Sequence, residues 1–415
     1  MFDLTESLTR AKNARAAMAA ASTEAKNAFL LDLAQRIMAE SGYILEKNRE
    51  DLENARLGGM REVMLDRLAL SQERLGGIAD AMKSLAGEAD PVGVVTGGGT
   101  MYNGISMTKK TVPVGVIAVI YEARPNVTAD AGALCIKSGN VCVLKGGKEA
   151  FNSNKAISEV MKKSLAAVGL PPEAVCFIED NSRETTARLM REDRFIDLLI
   201  PRGGAGLIRS CRENASMPVI ETGTGNCHVY IDASADIDTA VKILENAKTQ
   251  RISVCNTCES LLIHKDVAEL ALLPIGEMLS AHGVEIRGDE AVRAVLPFAV
   301  EATEEDWGTE YLDKIISVKV VGSVGEAIEH INRYSTHHSE AIVTSDYESA
   351  ERFLSEVDSA AVYVNASTRF TDGGEFGFGA EIGISTGRLH VRGPVGLKDL
   401  VTYKYLLRGN GQIRQ

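Results

Sequence analysis

From residue 5 to residue 86 the apolar positions recur with a helical period. Residues 29, 30, 33, 34 and 37 fall on one face, with alanines and charged residues between. The pattern predicts three or four helices, punctuated at Gly58-Gly59 and Gly76-Gly77, and no chemistry. Residues 91–120 change character. Val92-Gly93-Val94-Val95 runs into Gly97-Gly98-Gly99, which reads as a turn, and a polar, β-compatible stretch follows to Val112. This predicts a β-hairpin or protruding ribbon, whereas the unbroken apolar run over 116–120 predicts a buried strand.

Strand and helix then alternate. Strands are expected at 116–120, 141–145, 175–178, 196–200 and 228–231, with helices at 128–138, 153–168, 183–192 and 204–215. That order predicts a parallel sheet with helical crossovers. A second alternation covers 236–365: Asp236 opens a helix, and strands are expected at Leu261–His264, Ala341–Thr344 and Ala361–Asn365. Two α/β domains are the simplest reading. Leu400–Leu406 alternates as a strand does, and is expected to pair away from its neighbours in sequence, a partner subunit being one option.

Composition narrows the class. A chain of 415 residues calls for two or three domains. With 45% hydrophobic and 25% charged residues it reads as soluble and globular. The net charge of −12 argues against nucleic acid or an anionic membrane as partner. No apolar run is long enough to span a bilayer, and Met1-Phe2-Asp3-Leu4 does not open like a secretion signal. Seven scattered cysteines suit a reducing, cytoplasmic setting.

Candidate chemistry gathers in a few segments. In Ser253-Val254-Cys255-Asn256-Thr257-Cys258, a thiol in a small polar turn before a strand suits a nucleophile, although a lone cysteine is more often a small buried hydrophobe. Cys255 and Cys258 also form a C-x-x-C, which opens a redox pair or half a zinc site. No second C-x-x-C and no suitably spaced histidines complete such a site, so no metal is expected. Lys145-Gly146-Gly147-Lys148 follows an expected strand, and Arg202-Gly203-Gly204-Ala205-Gly206 lies between strand and helix. Both suit a phosphorylated ligand at a sheet crevice, and each alone also suits a solvated turn. Glu221, before a Gly-rich loop, suits a base or a ligand of sugar hydroxyls. Residues 329–340 hold three of the seven histidines.

In this order these segments resemble the aldehyde dehydrogenase superfamily, and within it the γ-glutamyl phosphate reductase family, over essentially the whole chain. The stretch from Val321 through Ala327-Ile328, His330-Ile331, Tyr334-Ser335-Thr336 and His338-Ser339-Glu340 to Ile342 is similar to that family's signature. Arg251 to Thr257 resembles its catalytic cysteine loop, and Tyr121 to Val127 another of its blocks.

The resemblance implies an aldehyde dehydrogenase-like α/β fold. A Rossmann-type NADP-binding domain would cover 1–92 and 113–224, and a catalytic domain 225–380. A β-ribbon oligomerisation element and tail would cover 93–112 and 395–415, with the active site in the cleft between the first two. It implies NADPH-dependent reduction of L-glutamyl 5-phosphate to L-glutamate 5-semialdehyde with release of phosphate, the second step of proline biosynthesis, through a Cys255 thioester. Glu221, 34 residues before Cys255, falls where oxidising members keep the glutamate that activates water. A reductase must avoid hydrolysis, so Glu221 is placed with the cofactor instead.

Lys145 is similar to the lysine that holds the adenosine ribose. Three residues on, where NAD-preferring members carry Glu, this chain has Lys148, which favours a 2′-phosphate and hence NADP(H). Gly203 and Gly204 join the cofactor site, and Glu310 resembles the glutamate at the nicotinamide ribose. Asn126 stands a few residues out of register with the oxyanion-hole Asn, beside the Cys255 N–H as the other donor. Arg124, His337 and His338 are expected at the substrate, with Arg202 and Arg369 as further anion partners. A homodimer or higher homo-oligomer follows, with glutamate 5-kinase as a donor of the labile substrate. Reduction of an acyl-CoA or of a different acyl phosphate is the nearest rival, and a non-catalytic nucleotide-binding or redox-sensing protein with Cys255 and Cys258 as a dithiol switch is the rival of another class.

Overall fold

Helix caps explain why the N-terminal segment holds more helices than the glycines suggest. The computed structural model describes residues 2–414, apart from the side chain of residue 63. Among them, residues 4–87 form five helices rather than three or four: Leu4–Ala20, Thr23–Ala39, Ser41–Leu57, Glu62–Leu68 and Gln72–Gly87. Three of the four breaks carry neither Gly nor Pro. At the first, the Ser22 hydroxyl accepts from the Ala25 N–H and starts a new helix. At the second, Glu40 ends one helix and begins the next with no side-chain cap.

The chain divides into two compact units. One comprises Met1–Thr222, Gly377–Gly383 and Val395–Gln415, the other Gly223–Phe376 and Ile384–Pro394. The first is built on a four-stranded parallel sheet in the order Val175–Phe177, Val141–Gly146, Val116–Tyr121, Leu198–Arg202. The helices Asn126–Lys137, Phe151–Ala167 and Arg183–Leu189 connect successive strands. The chain steps outward from Val116–Tyr121 twice, then crosses back to its other side for Leu198–Arg202. The strand order therefore reverses between these two, which is where parallel α/β sheets offer a crevice at their carboxyl ends.

The same unit carries a three-stranded antiparallel ribbon of Val95–Thr100, Ser106–Pro113 and Val401–Arg408. One expectation is corrected here. Gly97-Gly98-Gly99 is not the turn but lies within the first strand, because a Cβ on Gly98 would sit 2.5 Å from the Met107 carbonyl oxygen. The turn falls at residues 101–105. The C-terminal strand pairs away from its neighbours in sequence, as expected, and does so with the ribbon of its own chain, in register from Val401↔Pro113 to Arg408↔Ser106. Its entry is fixed by the buried Asn140, whose Nδ2 donates to the Leu400 carbonyl.

The second unit holds a seven-stranded parallel sheet in the order Val300–Glu301, Glu285–Gly288, Ile315–Val321, Cys258–His264, Cys227–Ile231, Ser339–Val343, Ala361–Val364. Alternation of the pleat splits its core. Val229, Ile231, Leu261, Ile263, Ala341 and Val343 pack against Ile237–Thr249 and Ala268–Ala281. Tyr230, Leu262 and Ile342 pack against Val324–Tyr334 and Phe353. The strand expected at 228–231 belongs to this sheet and not, as expected, to the first alternation. No described helix is long and apolar enough to cross a membrane.

Candidate active site

Three neighbouring strands of the second unit begin together: Cys258–His264, Cys227–Ile231 and Ser339–Val343. Cys255 lies three positions before the first of them, on the loop that follows the helix Ile237–Thr249. It is half-buried, and every other cysteine among the described residues is buried.

The loop is held from several directions. The Cys227 thiol donates to the Cys255 carbonyl at 3.1 Å, and burial keeps that thiol protonated by pushing its pKa well above the usual value. Gly225 presses on the same carbonyl: a Cβ there would lie 1.4 Å from the oxygen, so no side chain fits. The Thr257 hydroxyl donates to the Arg251 carbonyl at 2.7 Å, and Thr368 to the Asn256 carbonyl at 2.8 Å. The Asn256 amide donates to the Thr371 carbonyl at 3.0 Å and accepts from the Arg369 guanidinium. A nucleophile so fixed loses little orientational freedom on reaction.

Two other expected residues, Glu310 and His338, touch residues that brace this loop. Glu310 accepts the Gly225 N–H at 2.7 Å. His338 is fully buried, its Nδ1 2.8 Å from the Ser339 hydroxyl and 3.7 Å from Cys227 Sγ. His337 stands in the left-handed region at φ 61°, and its Nδ1 donates to the Asp358 carbonyl at 2.5 Å. Cys258 is fully buried, with its pKa pushed up to about 12 by that burial. Its thiol donates to the Ser260 carbonyl, an environment that suits an inert thiol rather than a redox partner. No metal-binding cluster occurs among the described residues.

The signature residues prove to be packing and buried polar contacts. Glu340 is fully buried and accepts from the His228 N–H at 2.7 Å and the Ser359 hydroxyl at 3.1 Å, with His228 Nδ1 3.0 Å away. It thereby ties two adjacent strands together. His330 packs edge-on against Trp307, and tilted on Tyr334 at 4.6 Å between ring centres.

In the first unit the carboxyl ends of the sheet strands border a cavity of about 930 Å³ lined by Tyr121, Glu122, Lys145, Lys148, Arg183 and Leu207, among others. Lys145 is buried at its strand end, its Nζ donating to the Gly146 carbonyl. Burial holds its pKa down, against the pull of Asp180 and Glu149. Both carboxylates are engaged locally. Glu149 accepts the Ala123 N–H at 2.6 Å, and Asp180 accepts from the Ser182 N–H and the Thr185 hydroxyl.

Lys148 is exposed, and Gly204 caps the helix Ala205–Asn214. The sequence reading missed Glu122, which accepts the Gly204 N–H at 2.8 Å; a Cβ on Gly203 would meet that carboxylate at 2.4 Å. It also missed Arg183 in the cavity wall. Glu221 forms an ion pair with Arg212 at 3.8 Å. Asn126 opens its helix and donates to Asp130 at 3.0 Å. Arg124 lies two residues earlier, part-buried.

The structure is thus an α/β protein that carries a lysine-lined crevice at a topological switch point of one unit and, in the other, the single cysteine among the described residues that is not buried. The aldehyde dehydrogenase family model matches residues 4–285. Gamma-glutamyl phosphate reductase of Lachnospira eligens is 53% identical over 406 residues, covering 98% of each chain. The protein of the same name from Moorella thermoacetica is 52% identical, covering 98% of this chain and 97% of its own. The crystal structure of gamma-glutamyl phosphate reductase from Thermotoga maritima superposes with a TM-score of 0.96 at 48% identity, with both chains fully covered. The chain belongs to the aldehyde dehydrogenase family, and within it to the γ-glutamyl phosphate reductases.

Proposed function

We propose that this chain reduces L-glutamyl 5-phosphate to L-glutamate 5-semialdehyde with NADPH and releases phosphate, the second step of proline biosynthesis from glutamate. The observation that carries the reading is Cys255, the one cysteine among the described residues that is not buried, on a loop braced from both sides. Its thiolate attacks the γ-acyl carbon, and the carbon–oxygen bond to phosphate breaks to leave a thioester. A bound nicotinamide cofactor supplies the hydride that reduces this thioester. The carbon–sulfur bond then breaks, the aldehyde leaves, and Cys255 regains its thiolate. The Cys255 N–H and Asn126 are the proposed donors to the developing oxyanion.

The first unit's residues fit the cofactor. Lys145 and Lys148 line a cavity of suitable size at the switch point, and the nearest carboxylates, Glu149 and Asp180, are taken up by local hydrogen bonds. An ammonium at 148 in place of a carboxylate favours the 2′-phosphate of NADP. Gly203 and Gly204 present backbone at a helix start. Glu221 and Glu310 complete the proposed cofactor contacts. Arg124 and His337 are assigned to the substrate, His337 through Nε2 because Nδ1 is engaged; His338 supports the loop by way of Cys227.

The ribbon exposes Tyr403, Tyr405 and Leu407, which suits a homo-oligomer in the cytoplasm, fed by glutamate 5-kinase. The test couples the protein to a glutamate kinase with ATP, glutamate and NADPH. The expected result is kinase-dependent NADPH oxidation that Cys255→Ala abolishes while NADPH binding persists. Oxidation only with an acyl-CoA would overturn the assignment of the acyl donor.

A further inference from the structure

Charge pairing in the second unit leaves one conspicuous gap. Among its described residues, Arg287, Arg293, Arg333, Arg352, Arg388 and Arg392 each form an ion pair with a carboxylate. Arg251 and Arg369, the two remaining arginines of the unit, do not, and both adjoin the nucleophile. Arg251 lies four residues before Cys255 and is exposed. Arg369 is only partly exposed, yet its guanidinium is met by neutral acceptors alone: Gln250 Oε1 at 2.9 Å and the Asn256 side-chain oxygen. Asn256 directly follows Cys255, and its own amide is spent on the carbonyls of Arg369 and Thr371. The guanidinium is therefore locked to the nucleophile's loop in one orientation. Burial, and Arg251 beside it, depress the Arg369 pKa. Asp372 and Cys255 offset this only in part, and the hydrogen bonds of the guanidinium go to Gln250 and Asn256, so an anion that joins the two arginines relieves the remaining cost.

We propose that Arg251 and Arg369 form the receptor for the phosphoryl group of the substrate, an inference that rests on the acyl-phosphate chemistry proposed above. The phosphoryl group is joined through a single bridging oxygen to the carbon that Cys255 attacks, so it must lie beside the thiol at the moment of reaction. The substrate's α-carboxylate is separated from that carbon by three others and is not so constrained. As the carbon–oxygen bond breaks, its electron pair leaves with phosphate, and charge builds on the leaving oxygen. Two guanidiniums, with planar forks of N–H donors, match that dianion and stabilise its departure. The same pair binds inorganic phosphate as co-substrate when the reaction runs backwards.

The test measures the reverse reaction in Arg369→Gln, Arg369→Lys and Arg251→Gln, varying phosphate and semialdehyde separately. Loss of charge-assisted hydrogen bonds to phosphate raises the KM for phosphate by about 10- to 100-fold in Arg369→Gln. The KM for the semialdehyde stays within about twofold, and Arg369→Lys recovers part of the loss. A second readout needs no turnover: inorganic phosphate slows alkylation of Cys255 by iodoacetamide in the wild type and fails to do so in Arg369→Gln.

A raised KM for the semialdehyde with phosphate unaffected would assign the pair to the α-carboxylate and overturn the proposal. So would a fall in kcat alone with protection intact, which marks a merely structural role. If the wild type shows no phosphate-dependent turnover, the acyl-phosphate reading fails; the alkylation assay then still decides whether the arginines hold phosphate.

Discussion

At the scale of single residues, burial separates the thiols. Cys176 is raised to about 11, and Cys211 and Cys258 to about 12, in each case chiefly by burial, so these stay protonated and inert at neutral pH. Cys255→Ala is expected to lower turnover by a factor on the order of a thousand or more, and Cys258→Ser to keep most of it, as steady-state assays of the two variants would show. Gly225→Ala tests the bracing of the loop. Its methyl cannot share space with the Cys255 carbonyl 1.4 Å away, so the loop must shift. Activity is expected to fall by about 100-fold or more, as for other displacements of reacting groups, while far-UV circular dichroism stays unchanged. Cys255, Lys145 and Gly203-Gly204 are legible from local motif and spacing. The Asn256–Arg369 lock is not, because its partners are 113 positions apart and only the fold joins them.

Elements show where periodicity suffices and where it does not. The strand Val116–Tyr121 is apolar throughout and fully buried, so pattern alone finds it. The helix Ala268–Ala281 escapes because its apolar residues crowd all sides and Pro274 interrupts it. The glycines of Val95–Thr100 mislead because Gly more often marks a turn than a close approach of two strands. The signature around His330 is legible as a pattern, but its physical role is not.

That role has a pH signature. Burial depresses His330 to about 3, so it is neutral when folded and charges on unfolding as pH falls below about 6.5. Asp306 is lowered to about 2: hydrogen bonds from Thr303, Arg287 and Tyr311 outweigh the opposing effect of burial. Both groups bind protons more readily in the unfolded chain, so their contribution is present at neutral pH and lost on acidification. The His330 share fades from pH 6.5 towards 3. The Asp306 share, on the order of 2 kcal/mol, fades from about 4 to 2. Thermal unfolding is expected to show a midpoint that declines below pH 6.5. In Asp306→Asn it should start lower at neutral pH and lose less between pH 4 and 2.

For the whole molecule, alternation of strand and helix exposes two parallel sheets to sequence reading. It does not expose the returns of the chain at Gly377–Gly383 and Ile384–Pro394, which lack regular structure apart from a two-residue strand at each end of the latter. The ribbon is the feature with consequences beyond one chain. Its strand Val95–Thr100 is exposed along its whole length, and Tyr403, Tyr405 and Leu407 face solvent. If this surface joins copies, sedimentation gives a mass above the 44.5 kDa of one chain. Changing Tyr405 and Leu407 together to Asp is expected to return the protein to monomer; a wild type already monomeric would contradict it.

The central claim, a cysteine-dependent and phosphate-linked reduction with NADPH, is tested most directly in reverse. Glutamate 5-semialdehyde, phosphate and NADP⁺ are supplied, and NADPH absorbance is followed. The account predicts a rise that requires phosphate, prefers NADP⁺ to NAD⁺ and vanishes in Cys255→Ala. A rise independent of phosphate, or one that Cys255→Ala retains, would contradict it.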